Sequence, residues 1–270
     1  MFYFFSQKKK KKKDWSSTQR SNMFASQINL EEPRTEIAEE KDTKEVEMKR
    51  RREMEKSSSE IRSAIEELSM FIKLKPKDNL DASRIHIPTK PFLHLCNLVL
   101  QVLDKIGPTM LVLRQDIHQN IQRLEKFCEL DPSKYANVVE ILKKEASEGN
   151  ARKKTSCSKA FLWLTRSLDF MVALLQRLAK DPGQKMEQAV EESYNIALKP
   201  WHGWISSAAF KVALKLLPDS VTFMNILMAK DETYDNLKEE MQTLTSLLVP
   251  FLEEIHSILR LQGLDMLKSK

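Results

Sequence analysis

Glycine and cysteine are scarce in this chain, and the absence of their usual motifs excludes several protein classes. The five glycines stand singly along the sequence, so no glycine-rich loop is available to hold a phosphate or a dinucleotide. The three cysteines, Cys96, Cys128 and Cys157, form no CxxC or CxxH pair. Their spacing predicts neither a disulfide framework nor a zinc site, and it suits a reducing compartment such as the cytoplasm.

Catalytic and membrane-spanning motifs are absent as well. Asp116 and His202 invite an acid–base interpretation, since a carboxylate can orient an imidazole for proton transfer. That chemistry also needs a nucleophile or a metal, and the sequence has neither a GxSxG nor an HExxH motif. The aromatic run Phe2–Phe5 is too short to span a bilayer, and no apolar stretch of signal-peptide length follows it. We therefore predict no enzymatic activity, no cofactor and no metal.

Residues 1–56 differ in composition from the rest of the chain. The lysine run Lys8–Lys13 is followed by a Glu/Lys/Arg-rich stretch that ends in Lys49–Arg52. Such a segment can bury little apolar surface, so we expect a disordered charged extension. The lysine run could contact anionic lipids or act as a nuclear import signal, and the simpler alternative is an appendage without a function. The remaining residues, 57–270, are expected to form one domain.

Apolar residues in 57–270 recur at helical spacing, and no convincing alternating strand pattern is present. Proline and glycine mark most of the helix ends, and Pro250 should kink the last helix. The fold class we predict is all-α, with about eight helices in two layers around a core. The predicted helices are one carrying Ile61 to Ile72, 89–106, one across Leu113–Leu124, one from Asp131 to Gly149, 156–179, 184–199, 201–217, 219–229 and 232–262.

A polar stripe lies on the third of these helices. Asp116, Asn120 and Arg123 are spaced i, i+4 and i+7, so they share one helix face. The apolar residues of the helix occupy the adjoining face. Together the three side chains offer a carboxylate, an amide and a guanidinium, which is what a polyhydroxyl group needs to be held. The alternative is an ordinary solvated face, because charged residues on helices are usually exposed.

Three motifs, in this order, resemble those of the glycolipid transfer protein family. They are Asp116-Ile-His-Gln-Asn120, Leu162-Trp163-Leu-Thr-Arg166 and His202-Gly203-Trp204. The resemblance covers about 57–270 and is plant-like in Thr89-Lys-Pro-Phe-Leu. It implies a two-layer all-α sandwich that encloses the chains of one sphingolipid and holds its head group at the surface.

The resemblance also implies roles for individual residues. The positions of Asp116 and Asn120 contact sugar hydroxyls, and Asp116 also accepts from the ceramide amide. Trp163 corresponds to a flat platform on which the sugar stacks, and His202 corresponds to a donor to the ceramide carbonyl. Arg123 stands where sugar-binding members usually carry lysine, and its planar fork changes the reach of that position.

An apolar pocket for the lipid chains is implied as well. If these residues did not line such a pocket, they would be ordinary core residues. The implied pocket residues are Met110, Leu113, Phe170, Leu174, Phe210, Leu214 and Phe223.

The function that the resemblance implies is a monomeric, cytoplasmic carrier or sensor of glycosphingolipids such as glucosylceramide. Trp201 and Trp204 would contact the membrane, because tryptophan favours the headgroup region. The net charge of +6 suits reversible contact with anionic leaflets. One alternative is ceramide-1-phosphate transfer, in which basic residues would occupy the positions of Asn120 and Trp163. The other is a nucleic-acid-binding module that uses Lys8–Lys13, although the ordered part lacks interleaved basic and aromatic residues.

Overall fold

The computed structural model describes residues 59–74, 86–230 and 232–269. The predicted extension, 1–56, lies outside these residues. Within them the structure has nine α-helices and no strand, which confirms the all-α prediction. The helices are α1 (Glu60–Leu74), α2 (Thr89–Ile106), α3 (Leu111–Leu130), α4 (Val138–Ser147), α5 (Cys157–Lys180), α6 (Met186–Ala197), α7 (Trp204–Leu214), α8 (Ser220–Leu227) and α9 (Tyr234–Leu261), with short 3-10 helices at Pro108–Met110 and Lys199–Trp201.

Five of the helices pack side by side in a ring, so that the last of them contacts the first. In sequence, α1 packs on α2, α2 on α3, α3 on α5 and α5 on α9, and α9 returns to α1. This closed ring of packed helices surrounds one hydrophobic core. The helix with the most neighbours is α5, because α4 and α6 also pack against it. Its position follows from its sequence, which is apolar on most of its circumference.

The start of α5 is fixed by two side chains from outside the helix. Ser156 is the N-cap, and its hydroxyl accepts from the Lys159 amide. The buried carboxylate of Glu145, on α4, accepts from the amides of Cys157 and Ser158 at 2.8 and 2.7 Å. A carboxylate at this end of a helix pairs the otherwise unsatisfied amides and complements the helix dipole. The helix that carries Trp163 and Arg166 therefore begins at a rigid position.

The predicted helix from Asp131 to Gly149 was wrong at its start. Asp131 caps only a turn, and α4 begins at Val138. The reason is a long-range contact, because the Asn137 side chain accepts from both Val139 and Ile87. Residues 132–136 form turns, and the chain then pairs with the stretch before α2 through bonds from Thr89 N to Ala136 O and from Val138 N to Ile87 O. The isolated bridge between Pro88 and Asn137 marks that pairing.

The predicted helix over 201–217 also begins too early. The chain forms a 3-10 turn at Lys199–Trp201, then passes through extended conformations at His202 and Gly203 before α7 starts at Trp204. His202 therefore lies in a connection and not in a helix. The last helix runs through Pro250 as one element, Tyr234–Leu261. None of the described helices combines the length and the apolarity that crossing a bilayer requires.

Candidate functional site

The polar stripe predicted on α3 exists, and two of its members are bonded to each other. Arg123 Nη1 donates to Asn120 Oδ1 at 3.1 Å. Asn120 is buried, at 9% exposure, while Arg123 is half-buried. Because the guanidinium occupies the amide oxygen, the amide NH₂ of Asn120 is the group left to donate. The pair therefore offers donors to a ligand, and it fixes the Asn120 side chain in one orientation.

Asp116 supplies the acceptor of the stripe. It lies one helical turn before Asn120, about 6 Å along the axis, and its side chain is exposed to solvent. Desolvation nevertheless raises the pKa of its carboxyl, and the charge of Arg123 opposes that rise. The exposed surface of the side chain shows that a ligand could reach the carboxylate directly. Either oxygen of the carboxyl can accept a hydrogen bond from a ligand.

Trp163 and His202 come together although 39 residues separate them in sequence. Their ring centroids are 5.5 Å apart and the rings are tilted by 38°. Trp163 lies on α5 and is half-buried, so part of the indole is open to solvent. Because α3 packs against α5, the aromatic pair and the polar stripe lie on neighbouring elements. A flat ring beside hydrogen-bonding groups is an arrangement that can hold a sugar by its apolar face.

The His202 ring is oriented by a residue that sequence reasoning missed. Its Nδ1 lies 3.2 Å from Tyr194 Oη, and Tyr194 in turn donates to Ser207 Oγ at 3.1 Å. Tyr194 also stacks on Phe210, with ring centroids 3.5 Å apart. In the sequence Tyr194 is one more apolar position on α6, so no local signal distinguishes it. The contact fixes Nδ1 toward the protein and leaves Nε2 as the nitrogen that can meet a ligand.

The charge state of His202 is set by its surroundings. Burial lowers the pKa of its imidazole, and the positive charge of Arg166 lowers that pKa further. Both effects disfavour the imidazolium, because desolvation and a nearby cation penalise a second positive charge. His202 is therefore neutral at pH 7, with a proton on only one of its two ring nitrogens.

Arg166 is buried beneath this site. Only 2% of the residue is exposed, and its guanidinium carbon lies 4.9 Å from the Trp163 ring centre and 4.1 Å from that of Trp201. Its terminal nitrogens donate to the backbone carbonyls of Leu267 and Asp265 at 2.7 and 2.6 Å. Desolvation lowers its pKa to about 10, so the group stays charged at neutral pH.

Most of the predicted chain-pocket residues lie in or against the apolar core. Met110, Leu174 and Phe223 are buried. Phe170, Phe210 and Leu214 are half-buried and pack on the same core. Leu113 differs, because 44% of it is exposed. The shared environment is what a lipid-chain pocket would need, but an ordinary core would look the same, so these assignments stay predictions.

The helix that follows His202 has an unusual surface. Of the eleven residues of α7, only Ser206, Ser207 and Lys211 are polar, yet none of the eleven is buried. Trp204 is 80% exposed. Trp201 is half-buried and covers Arg166. The two tryptophans predicted to contact a membrane therefore lie in different surroundings.

The described residues contain no group of three or more His, Cys, Asp or Glu side chains that could hold a metal ion. Two surface clefts, of about 630 and 450 Å³, lie elsewhere: one between α5 and α9 and the other between α2 and α3. Neither is lined by a predicted site residue. The candidate site is therefore defined by its hydrogen-bonding side chains and aromatic rings and not by a cleft.

Comparisons with known proteins agree with this picture. The model of the glycolipid transfer protein family matches residues 87–229, which is more than half of the chain. Glycolipid transfer protein 3 of Arabidopsis thaliana is 58% identical over 234 residues, an alignment that covers 82% of this chain and all of that protein.

Solved structures show the same architecture. The structure that reports how FAPP2 selects simple glycosphingolipids with the GLTP fold superposes with a TM-score of 0.63 at 26% identity, covering 74% of this chain and 95% of that one. A mutant of Arabidopsis ACD11 complexed with ceramide-1-phosphate gives a TM-score of 0.68 at 18% identity, covering 78% and 98%. At 18% identity the second likeness shows the fold alone.

Proposed function

The chain belongs to the glycolipid transfer protein family, and on that premise we propose that it carries or senses glycosphingolipids, such as glucosylceramide, between membranes. Members of this family transfer lipids and are not enzymes. The proposal assigns the sugar and amide of the head group to Asp116, Asn120, Arg123, Trp163 and His202. The lipid chains would lie among the apolar residues predicted for the pocket.

The observation that carries this proposal is the chemistry of the side chains on two helices that pack together, α3 and α5. Asn120 is neutral, and its bond to Arg123 leaves a donor for a hydroxyl. Trp163 is half-buried and can stack on the apolar face of a sugar. The buried cation Arg166 already donates to two backbone carbonyls, which leaves it poorly placed to neutralise a phosphate. The site therefore suits a neutral sugar better than a phosphate.

Ceramide-1-phosphate is the competing cargo. Arg123 is the cation that could serve such a ligand. Charge-assisted bonds to phosphate are worth about 1.5–3 kcal/mol each, roughly twice a neutral bond. A site built for phosphate would be expected to present more than one free cation. Asn120 and Trp163 stand where such cations would be needed.

The pocket must match the bilayer closely in its affinity for the chains. A two-chain lipid has on the order of 30 methylenes, and exposing them to water would cost about 25 kcal/mol at ~0.8 kcal/mol each. A carrier therefore needs an interior nearly as apolar as the membrane. It must not be more favourable than the membrane, because the cargo would then not be released.

Membrane contact is proposed for the surface that contains α7. Trp204 and Val212 are 80% and 62% exposed, and the exposed lysines Lys199 and Lys211 are close to them in the chain. Exposed aromatic and basic residues together favour the interface of an anionic leaflet. Trp201 would take a smaller part in this contact, because its ring covers Arg166. The contact would be peripheral and reversible.

Several further assignments are proposals of the same kind. We propose that 57–270 form the lipid-transfer domain and that 1–56 are an extension not needed for binding. The protein would act in the cytoplasm, as a monomer and without binding nucleic acid. Salt-dependent DNA binding that persists after residues 1–56 are removed would contradict the last of these statements.

The test is a vesicle-to-vesicle transfer assay that compares glucosylceramide with ceramide-1-phosphate. We expect the wild type to transfer glucosylceramide faster. Trp163→Ala should reduce that rate by roughly two- to tenfold, because ring stacking contributes about 0.5–1.5 kcal/mol beyond the buried area. Leu130→Ala, an exposed apolar position at the far end of α3, is the matched control. A wild type that prefers ceramide-1-phosphate would show that the sugar assignment is wrong.

A further inference from the structure

The segment after α9, Leu264–Ser269, is held against the protein and is called the post-α9 segment below. Gly263 turns the chain with a positive φ of 61°, a conformation that favours glycine after a helix. Leu264 is then buried, and Leu267 packs on the apolar core. Two leucines thus anchor the segment, and its backbone is carried toward the start of α7.

The end of this segment bonds to the backbone on both sides of His202. The Ser269 amide donates to the carbonyl of Trp201 at 2.8 Å. The Ser269 hydroxyl accepts from the amide of Gly203 at 2.9 Å. Trp201 and Gly203 are the immediate neighbours of His202, so a single residue brackets the histidine.

Ser269 also contacts the start of α7, where a side-chain cap is lacking. The N-cap of α7 is Gly203, which has no side chain to pair the free amides of the first turn. The Ser269 hydroxyl lies 3.1 Å from that of Ser206, in the same first turn. Together with the Gly203 amide, this contact ties the beginning of α7 to the post-α9 segment.

The segment is in turn held by Arg166. Its guanidinium donates to the carbonyls of Asp265 and Leu267 at 2.6 and 2.7 Å. The same guanidinium lies against the rings of Trp163 and Trp201, where a cation is attracted to the aromatic face. One buried side chain therefore connects the proposed sugar platform, the residue before His202 and the segment that brackets His202.

From this geometry we propose that the post-α9 segment and Arg166 form one positioning unit, which sets the place of His202 relative to Trp163. The proposal rests on the proposed function, because it assigns the unit to the head-group site. Arg166 would not touch the lipid. Its terminal nitrogens are both engaged with carbonyls and the residue is almost fully buried, so it acts through Trp163 and His202.

The unit matters because a recognition site tolerates little displacement of its groups. His202 lies in an extended connection and not in a helix, so hydrogen bonds within a helix cannot hold its backbone. Its own amide bonds to the carbonyls of Leu198 and Lys199, and Tyr194 holds only the ring. Ser269 supplies the fixation of the neighbouring peptides. Without it, the ring could remain folded yet misplaced.

The test uses substitutions in the full chain. Ser269→Pro removes the amide proton and the hydroxyl together, whereas Ser269→Ala removes the hydroxyl alone. Arg166→Gln removes the charged fork. Arg152→Gln is the matched control, because Arg152 also donates to a carbonyl near this segment, that of Gly263, and is not in contact with the two rings.

Two readouts separate positioning from folding and from the proposed function. The first, amide hydrogen exchange at Gly203, needs no lipid, and the second is glucosylceramide transfer. For Ser269→Pro we expect exchange at Gly203 to become at least about tenfold faster, and transfer to fall about tenfold, with the urea midpoint nearly unchanged. Ser269→Ala should speed exchange at Gly203 about as much, because it removes the same hydroxyl acceptor. It should reduce transfer less, because the bond from the Ser269 amide to Trp201 remains. Arg152→Gln should leave both readouts within about twofold of the wild type.

A double-substitution cycle gives the decisive result. If Arg166 acts through the segment, Ser269→Pro combined with Arg166→Gln should transfer little more slowly than the worse single variant. Effects that multiply in full would overturn the proposal, as would a folded Ser269→Pro protein with normal exchange and transfer. If Arg166→Gln does not fold, Arg166→Lys takes its place, since it keeps the charge and loses the two-nitrogen fork.

The failure of the proposed function would look different. In that case the wild type would not transfer glucosylceramide at all, while faster exchange at Gly203 in Ser269→Pro would still support the positioning unit. Normal exchange in that variant would overturn the unit whatever lipid the protein carries.

Discussion

Two apolar helices of this protein, α5 and α7, lie in opposite surroundings. Fourteen of the twenty-four residues of α5 are buried, and four other helices pack against it. Residue for residue α7 is at least as apolar, yet none of its eleven residues is buried. Apolar composition alone therefore does not place a helix in the core.

The comparison divides the molecule into a frame and a surface. The frame is α5, whose start is fixed by Glu145 and whose middle presents Trp163 and Arg166. The surface is α7, which exposes Trp204 and Val212 while its Phe210 and Leu214 pack on the core. Exposed apolar side chains of this kind mark a surface that contacts a partner such as a lipid leaflet. His202 lies between them, because it precedes α7 in the chain and its ring is 5.5 Å from that of Trp163 on α5. Each prediction below tests one part of this division.

Loss of a large core side chain from α5 should have the largest effect. Phe161 is fully buried and its ring centroid lies 4.7 Å from that of Phe92. Phe161→Ala should therefore lower the free energy of unfolding by about 3–5 kcal/mol. Urea denaturation followed by circular dichroism measures this change.

The matched variant on α7 is Val212→Ala, at a position that is 62% exposed. It should change the free energy of unfolding by less than about 0.5 kcal/mol, because almost no buried area is lost. Similar losses for the two variants would contradict the division into frame and surface.

Selectivity is the next effect in size, and it depends on what the frame presents to the head group. The double variant with Asn120→Lys and Trp163→Arg places two cations at the proposed head-group site and removes the proposed stacking ring. We expect it to gain ceramide-1-phosphate transfer and to lose glucosylceramide transfer. Each well-placed charged bond to phosphate should contribute about 1.5–3 kcal/mol.

The assay measures both lipids with the wild type and the double variant, and unfolding curves show whether the variant is folded. Arg123 is left in place, so any gain is due to the two new cations. A folded double variant that keeps the lipid preference of the wild type would show that these positions do not read the head group.

Most helix boundaries could be predicted from sequence, and the one missed in α4 has a physical cause. Helical spacing with proline and glycine boundaries gave α5, α6, α8 and α9 to within about two residues. The start of α4 was missed because Asn137 bonds to Ile87, 50 positions away. A local pattern does not contain such a contact.

In the proposed head-group site, too, local sequence patterns predict neighbours on one helix but not contacts between distant segments. The stripe on α3 was predictable because helical periodicity places Asp116, Asn120 and Arg123 on one face. The partners of Arg166 were not, because they are carbonyl oxygens about 100 positions along the chain, and any residue type could supply them. Tyr194 was missed for a related reason, since its hydroxyl has a role only once α6 and the His202 connection are side by side.

Membrane contact tests the surface half of the comparison. Trp204→Ala should weaken binding to anionic vesicles by about tenfold, because a large apolar side chain contributes about 1.5–3 kcal/mol when fully buried and an interfacial tryptophan buries only part of itself. Sedimentation with vesicles measures this binding. Leu130→Ala removes a similarly exposed apolar side chain outside α7 and should leave binding unchanged. Equal losses in the two variants would remove α7 from the proposed interface.

The smallest effect we expect concerns His202, the residue between frame and surface. Burial and the charge of Arg166 lower the pKa of its imidazole below the usual 6.5. As the pH falls through 6.5, the unfolded chain takes up a proton that the folded protein resists. The free energy of unfolding should therefore decrease in this range, and the decrease should level off below the pKa of the folded state.

His202→Gln should flatten this part of the pH profile, measured by urea unfolding between about pH 7.5 and 5, which brackets the usual pKa of histidine. His86→Gln, which removes an exposed histidine, is the matched control and should keep the slope of the wild type. Equal slopes for the wild type and His202→Gln would mean that this ring is solvated, as the exposed side chains of α7 are. A flatter slope would place His202 with α5, in the desolvated part of the molecule, where a single hydrogen bond to a lipid amide is worth more than it is in water.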